Sequence, residues 1–219
     1  MKLLVFDTET TGLPEGRNLS TREVSKWPHI IQLSYILYDT EMNKTCSCVD
    51  DIIKLDDSVV ISEKSIEMHG ITRSVSMRKG IPIAAAINNF NNVLQEADIV
   101  IAHNILFDKK MIMVESFRLG IDQYFDYGNG YGIKEYCTMK NTVNVCNIER
   151  ESENGNVYFK YPTLTELHTY LFNFTPKNTH DSMADVLICL RCYYTLVNKE
   201  DVVKQGCSII NKLYNLYCR

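Results

Sequence analysis

Leu3-Leu4-Val5-Phe6-Asp7-Thr8-Glu9-Thr10-Thr11-Gly12-Leu13-Pro14 opens the chain and decides its reading. Leu3 to Phe6 is a short, continuously apolar run, the pattern of a buried strand. Thr10-Thr11-Gly12-Leu13-Pro14 then breaks it. Asp7 and Glu9 lie two residues apart at the strand's end, so the period of two places both on one face. Neighbouring carboxylates repel, and neither tolerates partial burial without a cation nearby. Taken alone, the stretch reads better as a surface acidic pair at a strand end.

Working outward, residues 15–28 are polar and end at Pro28, as a loop does. Ile31, Leu33, Tyr35 and Leu37 alternate along a second strand, and Cys46 to Leu55 forms a third. Helical spacing follows. Pro82 starts a helix carrying Ile83, Ile87, Phe90 and Leu94 on one face. Asp98 to Ala102 is a further buried strand. Phe107 to Leu119 is helical, with Gly120 as its stop. Residues 121–160 are irregular: Gly128, Gly130 and Gly132 among tyrosines suggest a loop, and Asn154-Gly155 suggests a hairpin turn between Val145–Ile148 and Val157–Phe159. Thr163-Leu164-Thr165-Glu166 has the form of a capping box, after which Leu164, Leu167 and Leu171 share a face. Met183, Leu187, Leu190, Tyr194 and Val197 mark an amphipathic helix. Strands first, then helices alternating with strands, make a mixed α/β domain.

Two further acidic segments accompany the first. His103-Asn104-Ile105-Leu106-Phe107-Asp108 follows a buried strand, where α/β sheets place ligands, although Asp108 also suits a helix N-cap. His180-Asp181-Ser182-Met183-Ala184-Asp185 opens the amphipathic helix. Asp181 or Ser182 suits its cap, Asp185 its positive end, and His180 a loop. Together the three segments meet one chemical demand. Phosphodiester hydrolysis with two metal ions needs several carboxylates on rigid elements, one ion activating the water and the other stabilising the leaving oxygen. Magnesium suits Asp and Glu oxygens plus waters. A neutral histidine, which ordinarily titrates near about 6.5, can take the water's proton.

Composition bounds the rest. The chain has 219 residues, 45% hydrophobic and 23% charged, which fits one globular domain and excludes collagen-like, disordered and disulfide-scaffold classes. Its 23 basic and 27 acidic residues leave a net charge of -4, which argues against a long electrostatic footprint on nucleic acid. The opening apolar run is too short for a signal peptide, and no run suffices for a membrane span. Eight cysteines without zinc-ribbon spacing suggest reduced thiols in a cytoplasmic compartment.

The three segments closely resemble, in order and internal spacing, the motifs of the DEDDh-type 3′–5′ exonucleases of the DEDD superfamily, the group of the DNA polymerase III epsilon subunit. Met68-His69-Gly70-Ile71-Thr72, Tyr136-Cys137-Thr138-Met139 and Pro162-Thr163-Leu164-Thr165-Glu166-Leu167 resemble its further segments, so the likeness covers residues 1–198. Ser182 departs from the small apolar residue usual there. The resemblance implies a ribonuclease-H-like fold with a central five-stranded mixed sheet flanked by helices, and residues 199–219 as a C-terminal helix or tail packed on it. It implies that Asp7, Glu9 and Asp185 hold a first Mg2+ ion, that Asp7 bridges to a second, and that Asp108 acts on the second through water. Mn2+ is expected to substitute. His180 is implied as general base. Thr8, Thr10 and Thr11 are implied to meet the 3′-terminal nucleotide and Leu13 to wedge against its base, with His69, Asn104 and Phe107 lining the pocket. The activity implied is release of nucleoside 5′-monophosphates from a nucleic acid 3′ end, with single-stranded or mismatched DNA favoured. RNA trimming is the first alternative, and an inactive nucleic-acid or protein binding module the second. Homodimerisation and association with a polymerase are the partner expectations.

Overall fold

The computed structural model of the chain describes residues 1–122, 124–125 and 132–219. The expected loop at Gly128 and Gly130 falls outside these. A five-stranded mixed sheet runs in the order β3-β2-β1-β4-β5. Its strands are β1 (Lys2–Thr10), β2 (Ile30–Asp39), β3 (Lys44–Ile52), β4 (Ile99–Ala102) and β5 (Lys134–Cys137). β1 outlasts its apolar run because its antiparallel pairing with β2 continues to Thr10; on its other edge it pairs parallel with β4 over Leu3–Val5. β5 runs parallel to β4 at the sheet edge. No alternation announced it, since Lys134 and Glu135 are exposed and only Cys137 is buried.

Both faces of the sheet are covered, which is why β2 is buried from Ile30 to Tyr38. On one face Leu4, Phe6, Leu33, Tyr35 and Val100 pack against α3 (Ile83–Leu94) and α4 (Ile105–Leu119). On the other, Leu3, Val5, Ile36, Tyr38 and Ile101 pack against α8 (Ser182–Asn198). Odd-numbered residues of β1 therefore face α8 and even-numbered ones face α4, a division that decides the site below.

Pro82 caps α3 and Gly120 ends α4 at φ 64, both as the spacing predicts. α4 starts at Ile105, two residues ahead of the expected Phe107, because Asn104 takes a left-handed conformation at φ 68 and turns the chain out of β4 at once. Two short helices, α1 (Glu63–His69) and α2 (Arg73–Lys79), precede α3. They gave no periodic signal because only Ser76 among their residues is buried. Their caps are explicit: Ser62 accepts from Ser65 N, and Thr72 from Val75 N.

After β5 come α5 (Thr138–Asn141) and α6 (Val143–Cys146). The hairpin turns at Asn154-Gly155, but its strands are β6 (Glu149–Glu151) and β7 (Val157–Phe159), which corrects the expected first strand at 145–148. Val143 to Cys146 is helical instead, and all six strand residues of the hairpin are exposed. α7 (Leu164–Phe172) begins with the predicted capping box: Glu166 N donates to Thr163 Oγ1 at 3.1 Å, and Thr163 N to Glu166 Oε2 at 2.8 Å.

α8 is more than amphipathic. Met183 to Leu190, apart from Asp185, and Arg191 to Tyr193 are buried. The far side of the helix is covered by α9 (Val202–Gln205) and α10 (Ser208–Cys218), which bury Val202, Val203, Ile210, Tyr214 and Cys218 against it. Each large apolar side chain buried in this way contributes on the order of 1.5–3 kcal/mol. Arg191 anchors the layer, donating to Asp201 Oδ2 at 2.7 Å and to Tyr214 Oη at 2.9 Å. Val197 was expected on the buried face; it is exposed, in the last turn of α8. Among the described residues no helix is long and apolar enough to cross a membrane.

Candidate active site

The sheet delivers the acidic residues to one place from three elements. Asp7 and Glu9, being odd-numbered, share the face of Leu3 and Val5 and meet the start of α8. Thr8 points the other way, toward α4. Its backbone N and its Oγ1 donate to Asp108 Oδ1 at 3.1 and 2.8 Å. Thr8 is 6% and Asp108 3% exposed. Asp108 is therefore not the cap of α4, where Asn104 stands. It sits one turn further along, with its carboxylate turned to β1.

The start of α8 is pinned to the sheet. Ser182 Oγ donates to the Asp7 carbonyl at 2.8 Å, and Ser182 N to Gln32 Oε1 at 3.3 Å. A small apolar residue at 182 lacks the first of these bonds. The cap itself is Asp181, which accepts from Ala184 N at 3.0 Å. One turn in, Asp185 Oδ2 accepts from His180 N at 3.2 Å, while its Oδ1 is buried and unpartnered. Glu9, His180 and Asp185 offer ligand atoms that all lie within 4.8 Å of one another. A cavity of about 450 Å³ brings Asp7, His180 and Asp185 together with His103, Asn104 and Tyr161.

Electrostatics say what this cluster lacks. Burial pushes Asp7 up to about 7. Burial, and then Asp7, Asp185 and Asp108, push Glu9 up to about 9. Asp108 and Asp185 are raised well above the usual carboxylate range, first by burial and then by Asp7. Four such groups cannot all ionise at neutral pH without compensating positive charge. The residues fit a divalent cation: the donors are hard carboxylate oxygens, and one of them, Asp185 Oδ1, is buried with nothing to bond.

The other expected residues divide. His103 is a brace: its ring nitrogens reach Thr138 Oγ1 at 2.9 Å and the Pro162 carbonyl at 3.0 Å, and burial holds it down to about 4, hence neutral. Asn104 is exposed at the cavity, and Phe107 packs at the edge of the α4 core. Thr10 and Thr11 are buried, and their hydroxyls serve the turn: Thr10 Oγ1 donates to the Gly12 carbonyl at 2.8 Å, and Thr11 Oγ1 accepts from His29 N at 3.0 Å. Leu13 at the tip is 76% exposed. His69 closes α1. Its Nδ1 accepts from Ile71 N at 3.0 Å, which puts the ring proton on the buried Nε2. His69 and His180 line a second hollow of about 580 Å³ with Asn178, Leu216 and Tyr217.

Long-range partners were beyond the sequence reading. The His180 loop is tied to the end of α10: Asn178 Nδ2 donates to the Tyr217 carbonyl at 2.8 Å, and Lys177 N to the Cys218 carbonyl at 3.1 Å. Tyr217 Oη donates to Asp50 Oδ2 at 3.3 Å, and Asp50 Oδ1 accepts from Gln32 Nε2 at 2.8 Å. No motif marks Gln32, Asp50, Asn178 or Tyr217.

An exonuclease family model matches residues 4–193. The chain belongs to the exonuclease family. No curated protein matches it. Among solved structures it is similar to E. coli exonuclease I in complex with a dT13 oligonucleotide, at 18% identity and a TM-score of 0.65, covering 89% of this chain and 41% of that one. The same enzyme in complex with a dA16 oligonucleotide gives 18% identity and a TM-score of 0.63, with 98% and 42% covered. The zinc-bound form of its complex with single-stranded DNA gives 17% and 0.64, with 98% and 42% covered. The chain thus spans about two fifths of those proteins, and at this identity the likeness establishes the shared ribonuclease-H-like fold.

Proposed function

We propose that the chain hydrolyses the terminal phosphodiester bond at the 3′ end of single-stranded or mismatched DNA and releases nucleoside 5′-monophosphates. The observation that carries this is the meeting of Asp7, Glu9, Asp108 and Asp185, all with raised affinity for protons, beside an accessible histidine at a cavity. In this reading Asp7, Glu9 and Asp185 would hold one divalent cation, Mg2+ or in its place Mn2+, and Asp7 and Asp108 would serve a second. Cations bound there would supply a strong nucleophile at neutral pH and neutralise charge on the leaving oxygen.

The chain's own residues do the rest. Thr8 holds Asp108 in one orientation by two hydrogen bonds. Asp185 fixes the backbone of His180, whose φ of 77 turns its ring into the cavity mouth. The imidazole takes the proton of the attacking water as general base. Leu13, exposed at the tip of a turn whose hydroxyls are already bonded, wedges against the terminal base. The backbone of Thr8, Thr10 and Thr11 meets the nucleotide, and His69, Asn104 and Phe107 shape its pocket.

Incubating the chain and Mg2+ with a 5′-labelled single-stranded oligonucleotide tests this. A ladder shortening from the 3′ end is expected, and Asp7→Asn should abolish it. An intact oligonucleotide with metal bound overturns the reading in favour of a binding module. Matched DNA and RNA strands and a mismatched duplex rank the substrates, and faster turnover of RNA overturns the DNA preference.

A further inference from the structure

The β6–β7 hairpin has no packing of its own. All six of its strand residues are exposed. A lone two-stranded hairpin is marginal in water, yet this one is firmly rooted. Lys160 N donates to the Ile148 carbonyl at 2.9 Å, and Lys160 Nζ meets both Glu166 oxygens at 2.6 Å. Two residues on, the Pro162 carbonyl is held by His103. Tyr161, between these anchors, is 57% exposed and lines the cavity that holds Asp7 and Asp185. The hairpin is an arm fixed at the mouth of the site.

Its two faces differ in charge. On one, Val157 and Phe159 stand opposite Glu151 and Glu149. On the other, Tyr158 stands directly opposite Arg150, with Lys160 two residues along. Directly opposed side chains have Cβ atoms about 4.5–5.5 Å apart, so ring and guanidinium are presented together. Tyr158 is 51% exposed. The second face leans on the first turn of α7 through Lys160 and Glu166, and that turn, Thr163 to Thr165, also lines the cavity. An aromatic ring beside a cation is the pair that holds a base by stacking and its phosphate by charge. The acidic first face repels phosphate.

Building on the exonuclease reading, we propose that the Arg150–Tyr158 face is the docking surface for the unpaired strand 5′ of the scissile bond. A base stacks on Tyr158, its phosphate lies against Arg150, and Tyr161 leads the strand into the cavity. On this face Arg150 offers phosphate a cation in a chain whose net charge is -4.

The test compares the parent with Tyr158→Ala, Arg150→Ala and Phe159→Ala, all on exposed side chains. Binding of a labelled single-stranded DNA of about twelve nucleotides is followed by anisotropy in EDTA, and turnover with Mg2+ on that strand and on a dinucleotide. Tyr158→Ala and Arg150→Ala should each raise Kd and KM for the long strand about tenfold. They should leave kcat, and the dinucleotide KM, within about twofold, and Phe159→Ala should change nothing. Unchanged Kd in Tyr158→Ala, an equal effect of Phe159→Ala, or no binding by the parent overturns the docking surface. Face-specific binding without cleavage supports it while refuting the proposed activity. Cleavage with Kd insensitive to all three variants does the reverse.

Discussion

Replacing Thr8 by valine isolates the bond that joins β1 to α4. Valine keeps the branched shape and the strand preference of threonine, and removes only the Oγ1 donor that reaches Asp108 Oδ1 at 2.8 Å. The oxygen keeps Thr8 N at 3.1 Å, so it is weakened rather than orphaned. A hydrogen bond of this kind contributes about 1–2 kcal/mol net. For a domain of this length each kcal/mol moves Tm by about 2–4 °C, so a fall of about 2–8 °C is expected. The two Thr8 bonds are also what draws the raised Asp108 downward. Losing one makes Asp108 hold its proton more tightly, and a cation must displace that proton. Stabilisation by Mg2+ should therefore shrink in the valine variant. Thermal unfolding at neutral pH, with EDTA and with Mg2+, measures both effects, and Thr8→Ser, which keeps the hydroxyl, is the control. A valine variant whose Tm stays within about 1 °C of the parent, or which gains as much from Mg2+, refutes the reasoning.

Three further outcomes follow from the same geometry. His180→Asn, which tolerates the left-handed backbone, should lower turnover by about 10²–10⁴-fold with Tm unchanged, measured as monophosphate release; retained turnover would remove His180 from the chemistry. The carboxylates set the pH dependence. Their folded pKa values lie above the unfolded ones, so the folded state binds more protons. Stability is then full below the ordinary carboxylate values of 3.8 for Asp7 and 4.5 for Glu9, and falls as pH rises toward about 7 and about 9. In EDTA, Tm should drop between about pH 5 and 9, and the gain on adding Mg2+ should grow with pH; a flat Mg2+ effect contradicts the cation site. Asn178→Asp keeps a residue suited to φ 53 but removes the donor to the Tyr217 carbonyl. It should cut kcat several-fold with KM and Tm near the parent, and an unchanged kcat would show that the tie to α10 does not position His180.

What was legible in the sequence follows a physical division. Asp7 and Glu9 share a face because the pleat has period two, and a dozen letters suffice to show it. α3, α4, α7 and α8 announce themselves by buried periodic side chains and by local caps such as Thr163 with Glu166. α1 and α2 bury almost nothing, so periodicity had nothing to report, although the Ser62, Gly70 and Thr72 punctuation was there to be read. β5 and the hairpin strands are short and largely exposed, and the apolar Val143 to Cys146 drew the strand assignment away from Glu149. Within the site, residue types were readable but partners were not. Thr8 and Asp108 are 100 positions apart, and Ser182 and the Asp7 carbonyl 175, so only the folded chain shows that these hydroxyls are already engaged.

The pairing of β1 along both edges has a consequence for variation over time. A strand clamped between β2 and β4 cannot slip by one residue without turning its whole apolar set to the wrong side. The spacing of Asp7 and Glu9 is thus inherited from the pleat, not from their neighbours. Sequence elsewhere is free to drift so long as the two cores stay filled. That explains how a chain only 18% identical to E. coli exonuclease I shares its architecture.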